Sequence, residues 1–232
     1  MRRSASSAVA SGATAWGSRV IQCAIDWPAA APSVSGDVES NLVLAMLARP
    51  VRRSEMILGK WLGLAALVLL YATGAGVLEL VVVDVTTGYV PPQPVALIVS
   101  VAGMGLVLVT LALLLSTRMA GMTAAIIPLI AYFMAWVGGI LGGIGQAIGN
   151  QALATAGVVS QLLLPTDGLW RSAIYAMEPA AVVASLRAAG AVAAGNPFGA
   201  TDGPAPAFLA WTVAWFALML GLTLWSFQRR EI

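Results

Sequence analysis

The chain has 232 residues, of which 59% are hydrophobic and 9% are charged, and its formal net charge is +2. Soluble domains carry about 25% charged residues, so this composition excludes an ordinary soluble domain and predicts an all-α protein that crosses a lipid bilayer several times. The sequence has no histidine and a single cysteine, Cys23, which excludes His-ligated zinc, Ser-His-Asp catalysis and an internal disulfide within the chain. We therefore predict no metal and no cofactor, and the few basic residues mark a side of the membrane, not a nucleic-acid surface.

Residues 1–36 differ in composition from the rest of the chain. They are rich in Ser, Ala and Pro, and Arg19 and Asp26 interrupt their apolar runs before these reach the ~20 residues that a span needs. Arg2 and Arg3 are similar to the start of a signal peptide, but no leucine-rich run follows them. We interpret residues 1–36 as an atypical, disordered N-terminal segment and residues 37–232 as the membrane domain.

The segment from Glu39 to Lys60 combines charge, a proline and a helical apolar pattern directly before a long hydrophobic run. Leu42, Ala45 and Met46 have the spacing of one helix face, which predicts a short amphipathic helix. Pro50 then ends this helix, because a proline ring disfavours the α conformation of the residue before it.

A second helix is predicted to begin after Pro50 and to continue into the hydrophobic run. Ser54 is a suitable N-cap for it, and Glu55 places a carboxylate in its first turn, where the charge complements the helix dipole. The segment therefore predicts a helix, a turn and a second helix at a membrane surface.

The order of residues in this segment also resembles a known family. A glutamate, a short leucine-rich helix, Ala-Arg-Pro-Val, Arg-Arg, a second glutamate and Leu-Gly-Lys together resemble the signature of ABC-2 type transporter permeases. In that family the segment lies between the second and third spans and includes the coupling helix that docks on the ATPase subunit. The resemblance implies an ATPase-coupling role for Glu39, Leu42, Met46, Arg49, Pro50, Arg53, Glu55 and Lys60. Gly59 also matches the motif.

Two features depart from the family pattern. Ser40 and Asn41 stand where the family usually has a small residue and a Gly-Thr pair after the glutamate. The family also typically has two spans before the glutamate, and residues 1–36 contain no stretch that fits one. A misplaced start, a frameshift or a degraded gene would explain this, and a genuine short version of the permease is the alternative.

Four hydrophobic stretches are long enough to cross the membrane as helices, at about residues 56–83, 95–116, 121–144 and 207–227. Lys60 lies where its side chain can reach the interface at the start of the first stretch. Glu79 lies about one turn from the other interface, and we interpret it as solvated, with a functional intramembrane carboxylate as the alternative.

The glycines before residue 150 lie at four-residue spacing, at Gly138 and Gly142, Gly139 and Gly143, and Gly145 and Gly149. Such spacing permits close helix contact, and the alternative is that the glycines only loosen the end of the third span. Residues 146–161 are then predicted to form an external or re-entrant helix, because the apolar run there is too short for a span.

The next segment, residues 162–179, resembles the Pro-Thr-Asp-x-Leu-Trp-Arg element of some permeases of the same family. Thr166 or Asp167 is predicted to cap a helix there, and Trp170 and Tyr175 are suited to a membrane interface. Residues 179–194 are apolar around a central Arg187, which is typical of a helix on the membrane surface.

The basic residues after Ser40 indicate the orientation of the spans. Under the four-span scheme seven lie on one side and two, Arg171 and Arg187, on the other. Basic residues are concentrated on the cytoplasmic side of membrane proteins, which predicts a cytoplasmic position for the seven, namely Arg49, Arg52, Arg53, Lys60, Arg118, Arg229 and Arg230.

The chain contains no Gly-x-x-x-x-Gly-Lys-Ser/Thr phosphate loop, so we predict that it does not hydrolyse ATP itself. The resemblance implies an exporter subunit in a prokaryotic plasma membrane, with a cytoplasmic ABC ATPase and a second permease subunit, identical or different, as partners. A truncated or non-transporting membrane subunit is one alternative. A secondary transporter is another, although it would need ionisable groups near the bilayer centre, where the predicted spans have none. Spans built from Gly, Ala and Leu indicate no substrate.

Overall fold

The computed structural model describes residues 53–190 and 196–228. Within these ranges the chain forms seven helices and no strand, so the all-α fold class is confirmed. The helices are α1 (Arg53–Thr87), α2 (Pro94–Ser116), α3 (Gly121–Ala147), α4 (Gln151–Leu163), α5 (Thr166–Met177), α6 (Ala180–Ala189) and α7 (Pro206–Gln228). The predicted amphipathic helix before Pro50 lies outside the described residues.

Among the described helices, α1, α2, α3 and α7 are the four that are long and apolar enough to cross a membrane. They overlap the predicted spans, and α1 extends beyond its span at both ends. With 35 residues, α1 is about 52 Å long, whereas the hydrocarbon core of a bilayer is about 30 Å thick. Because the helix already includes Arg53, Ser54 lies inside α1, and the prediction that Ser54 is its N-cap is wrong.

The four long helices alternate in direction. Trp61 near the start of α1 contacts Thr110 near the end of α2, and Thr117 after α2 contacts Ser226 near the end of α7. We call this side of the bundle, which carries Lys60 and Arg118, the basic end. The opposite side, with the connection between α1 and α2, is called the loop end.

The central helix of the bundle is α2, which packs against α1, α3, α5 and α7. In the most apolar stretch of α2, 33% of the residues are buried, against 6% in α1. A Cβ atom at Gly105 of α2 would lie 2.8 Å from Cγ1 of Val68, so the missing side chain permits the close approach of α1. Most of the remaining α1 surface is apolar and exposed, as a lipid-facing helix requires.

Two short helices, α4 and α5, form a re-entrant pair. After a turn at Gly149, whose φ is +70°, α4 runs back along α3 until Ser160 Oγ donates to the carbonyl of Ala135 at 3.3 Å. The chain reverses at Pro165, and α5 returns along α2 to the loop end, where the Gln93 N–H donates to the carbonyl of Ala176 at 3.2 Å. This path fits the re-entrant alternative for residues 146–161.

The main core cluster surrounds the reversal of the re-entrant pair. Its buried members come from α2, α3, α5, α7 and the connection between α4 and α5, and they are Met104, Val107, Ala135, Leu164, Leu169 and Trp215. The reversal is therefore packed against three of the four long helices.

Candidate functional site

The predicted coupling residues fall into two groups. Five of them, Glu39, Leu42, Met46, Arg49 and Pro50, lie outside the described residues. The other three lie in the first turns of α1, where Arg53 is the first residue of the helix, Glu55 is exposed and Lys60 is half-buried. The described part of the motif is thus the basic end of α1.

Between Glu55 and Lys60, the side chain of Ile57 is enclosed in a second core cluster at the basic end. Ile57 is 0% exposed and packs with Leu113 of α2 and Phe227 of α7, which are 2% and 1% exposed. We call Ile57, Leu113 and Phe227 the base junction. It joins the start of α1 to the ends of two other long helices.

Polar contacts reinforce the base junction. Trp61 Nε1 donates to Thr110 Oγ1 at 2.9 Å, which joins α1 to α2. Arg118 Nε donates to Ser226 Oγ at 2.7 Å, and Thr117 Oγ1 lies 2.9 Å from the same oxygen. These contacts fix the turn between α2 and α3 to the end of α7, because buried hydroxyl groups are costly to leave without partners.

The glycine-rich part of α3 packs against another helix of the same chain. A Cβ atom at Gly138 would lie 2.3 Å from Ser160 Oγ, and one at Gly142 would lie 2.8 Å from the Cα of Gly157. The close-contact interpretation is therefore confirmed for Gly138 and Gly142, and their partner is α4, whereas Gly149 lies in the turn after α3 with nothing within 4 Å of its Cβ position. The alternative, that they only loosen the end of α3, does not describe these contacts.

A polar cluster lies where α3, α4 and α5 meet. Asp167 is 3% exposed and accepts hydrogen bonds from Gln161 Nε2 at 2.8 Å and from Arg171 Nε at 3.1 Å. Arg171 Nη2 also donates to the carbonyl of Gly139 at 3.0 Å. The buried carboxylate is thus paired and hydrogen-bonded, as burial of a charge requires. The N-cap of α5 is Pro165, with no side-chain cap, so the predicted cap at Thr166 or Asp167 is wrong because Asp167 serves this pair.

The reversal of the re-entrant pair leaves carbonyl groups at the end of α4 without helical partners. Two indoles of α7 satisfy two of them. Trp215 Nε1 donates to the carbonyl of Leu163 at 2.9 Å, and Trp211 Nε1 donates to the carbonyl of Leu162 at 3.2 Å. Non-helical backbone is tolerated inside a membrane only where protein groups satisfy it, so these bonds make the reversal possible.

An apolar groove of about 820 Å³ runs between α1, α2, α3 and α5. Its walls include Leu64, Tyr71 and Val83 of α1, Ser116 of α2 and Trp170 of α5. Among the residues that the structure describes, Glu79 is the charged one that lines it. Across the described part of the chain, no group of three or more acidic or cysteine side chains is arranged to hold a metal ion.

Comparison with known proteins decides the family. A family model described as ABC-2 family transporter protein matches residues 5–232. The chain belongs to the ABC-2 transporter family. No match was found among curated proteins or among solved structures.

Membership of the ABC-2 family makes this chain a multi-pass membrane protein and a permease subunit of an ABC transporter, which is not itself the ATPase. The match includes residues 5–36, so the division of the chain at residue 36 stays a prediction.

Sequence reasoning found the motif but missed the base junction. An isoleucine inside a hydrophobic run carries no signal of its own, and the partners of Ile57 lie far away in the sequence. Two residues that bond beside the base junction do stand out in the sequence. Thr110 is a polar residue within the second span, and Trp61 follows Lys60 directly.

Proposed function

We propose that this permease is the membrane subunit of an exporter in a prokaryotic plasma membrane, and that a separate cytoplasmic ATPase docks on residues 39–60. A second permease subunit, identical or different, completes the translocation path. In this arrangement the basic end is cytoplasmic. The observation that carries the proposal is the base junction, because Ile57 lies inside the segment that resembles the coupling motif and packs against Leu113 of α2 and Phe227 of α7.

The proposed coupling is mechanical. ATP-driven closure of the ATPase displaces the start of α1. Because Ile57 is enclosed by Leu113 and Phe227, that displacement also moves α2 and α7. Packed helices pass on such rigid shifts readily, since a close-packed core does not deform continuously.

Docking is tested by Pro50→Ala and Glu39→Ala. Alanine at position 50 permits one continuous helix, which turns the Leu42 and Met46 face away from the partner. Removing the Glu39 carboxylate costs about 1–3 kcal/mol if its contact is a shielded, charge-assisted one. Both changes should lower co-purification of the ATPase at matched permease levels while membrane insertion stays normal. If both variants retain the ATPase and its stimulated turnover, residues 39–60 are an ordinary juxtamembrane segment.

Transmission is tested separately by Ile57→Ala. Emptying this enclosed position costs about 2–5 kcal/mol of packing, so the ATPase should still co-purify while transport-stimulated ATP hydrolysis falls. The matched control is Leu58→Ala, because Leu58 is the next residue and is 38% exposed. Equal turnover in the two variants would remove the base junction from the mechanism.

A further inference from the structure

The two helices of the re-entrant pair pack against different long helices. Along α4 the neighbour is α3, with Gly157 and Gly142 in backbone contact. Along α5 the neighbour is α2, where a Cβ atom at Gly103 would lie 3.3 Å from Cδ1 of Leu169. Four of the described helices thus form two pairs, α3 with α4 and α2 with α5, and we call the boundary between these pairs the seam.

Two hydrogen bonds of α5 cross the seam. Gln161 Nε2 of α4 donates to Asp167 Oδ2 at 2.8 Å, and Arg171 Nη2 donates to the carbonyl of Gly139 in α3 at 3.0 Å. A Cβ atom at Gly139 would overlap the carboxylate of Asp167, so the glycine makes room for this group at the seam. We call Gln161, Asp167 and Arg171 the latch.

An aromatic side chain also bridges the two pairs. The ring centroid of Phe198 lies 6.4 Å from that of Trp136 in α3 and 6.5 Å from that of Trp170 in α5. Phe198 is 64% exposed, so this contact buries little apolar area. The latch is therefore the buried connection across the seam.

The latch keeps its charges paired whether the seam is closed or open. Asp167 and Arg171 are one helical turn apart on α5, and their 3.1 Å contact moves with that helix. An unpaired charge inside a membrane is costly, and separation of α5 from α3 does not create one. The carbonyl of Gly139 lies inside α3 and keeps its place in the hydrogen bonds of that helix.

A hydroxyl next to the latch is buried without a partner. Thr166 is 0% exposed, and its Oγ1 has no hydrogen bond in the described part of the chain. Such groups are rare because an unsatisfied polar atom opposes the packed state. Water entering an open seam satisfies this hydroxyl, so Thr166 favours opening at the position beside Asp167.

The reversal at Pro165 is placed to act as a hinge. The carbonyls of Leu162 and Leu163 are held by indoles of α7, which fixes the inner end of the re-entrant pair. From there both short helices run to the loop end, and Asp167 lies about 15 Å of helix before Met177 at the end of α5. The helices can therefore separate most at the loop end.

We propose that the re-entrant pair is a gate that opens toward the loop end along the seam, with the reversal as its hinge and the latch as the contact that holds it closed. As part of a transport path, the gate rests on the proposed exporter function. As a movement of this chain it does not, since the latch and the hinge belong to the described helices alone.

The experiment uses the full chain with Cys23→Ser in lipid nanodiscs, without any ATPase. Thr166→Cys supplies the reporter, because the replaced hydroxyl makes no hydrogen bond. The measurement is the rate of reaction with methanethiosulfonate ethyltrimethylammonium, a charged reagent that reacts where water reaches the thiol. We expect slow but complete reaction, since the closed seam buries this position and its opening exposes it.

Gln161→Met weakens the latch while it keeps the side-chain length and the pairing of Asp167 with Arg171. It should raise the reaction rate at Thr166→Cys about three- to tenfold, because a hydrogen bond across the seam is lost. The matched control is Gln151→Met at the exposed start of α4, which should leave the rate unchanged. A second variant, Arg171→Lys, keeps the charge but cannot hold both acceptors at once, and it should also react faster.

A second reporter, Ala124→Cys, separates opening of the seam from general loosening of the fold. Ala124 is 0% exposed near the start of α3, at the basic end, and its reaction rate should not change in Gln161→Met. The inference is overturned if Thr166→Cys reacts only after denaturation, if Gln161→Met leaves its rate unchanged, or if Ala124→Cys accelerates equally. Failure of ATPase co-purification would instead sink the proposed function and leave the measured opening intact.

Discussion

Glu178 is an acidic residue whose charge is opposed by its surroundings. The residue is 9% exposed at the end of α5, where burial raises the pKa of its carboxyl above the ordinary 4.5, against the opposing effect of a hydrogen bond from the Ala200 N–H at 3.4 Å. Because the folded pKa lies above the unfolded one, the contribution of Glu178 to stability is fully present below about pH 4.5 and is lost as the pH rises through the folded pKa.

Glu178→Gln keeps the shape of the side chain and removes the ionisation. We expect the variant to lose this part of the pH dependence. Its thermal midpoint should therefore rise relative to that of wild type as the pH increases from about 4 to 8. The measurement is thermal unfolding of both purified proteins across that range. Parallel curves for the two proteins would show that the Glu178 carboxyl folds without a pKa change.

Between elements, the contact of α3 with α4 depends on the absence of side chains. A Cβ atom at Gly142 would meet the backbone of Gly157, which cannot rotate away as a side chain can. Gly142→Ala should therefore destabilise the protein by about 1–3 kcal/mol through overpacking and lower its thermal midpoint. The matched control is Gly74→Ala in α1, where nothing lies within 4 Å and helix propensity favours alanine.

The same comparison separates the two interpretations of the glycine-rich sequence. If Gly142→Ala were as stable as Gly74→Ala, the close contact with α4 would contribute nothing to the free energy of unfolding. The sequence alone left this question open. Four-residue glycine spacing indicates that another element can approach the helix closely, but it does not identify that element. The partner became visible only when α4 was seen to run back along α3.

Across the whole bundle, the orientation in the membrane stays a prediction that rests on seven basic residues against two. Cysteines introduced by Ser54→Cys and Gly203→Cys, each after replacement of Cys23, should react with an impermeant thiol reagent from opposite sides of the membrane. Ser54 lies in the first turn of α1 at the basic end, and Gly203 lies in the exposed connection before α7 at the loop end. Reaction of both cysteines from one side would contradict the four-span scheme.

The long helices were predictable because hydrophobic length is a local property of the sequence. The contacts that organise them were not, since they join residues far apart in the chain. Trp215 and the carbonyl of Leu163 are separated by 52 residues, and Arg118 and Ser226 by 108. Tryptophan in the last span was interpretable as an interfacial residue, and its role in satisfying a re-entrant reversal required the path of α4 and α5.

Hydrogen bonds hold α7 at two levels of the bundle. Ser226 is bonded to the turn between α2 and α3, and Trp211 and Trp215 are bonded to the reversal of the re-entrant pair. From Trp215 to Ser226 is about 16 Å of helix, which cannot lengthen without breaking its own hydrogen bonds. The reversal can therefore shift along the membrane normal only if the basic end shifts with it or an indole bond breaks. If α4 and α5 formed a gate, they could therefore not move independently of the base of the bundle. Opening the gate would move the basic end at the same time.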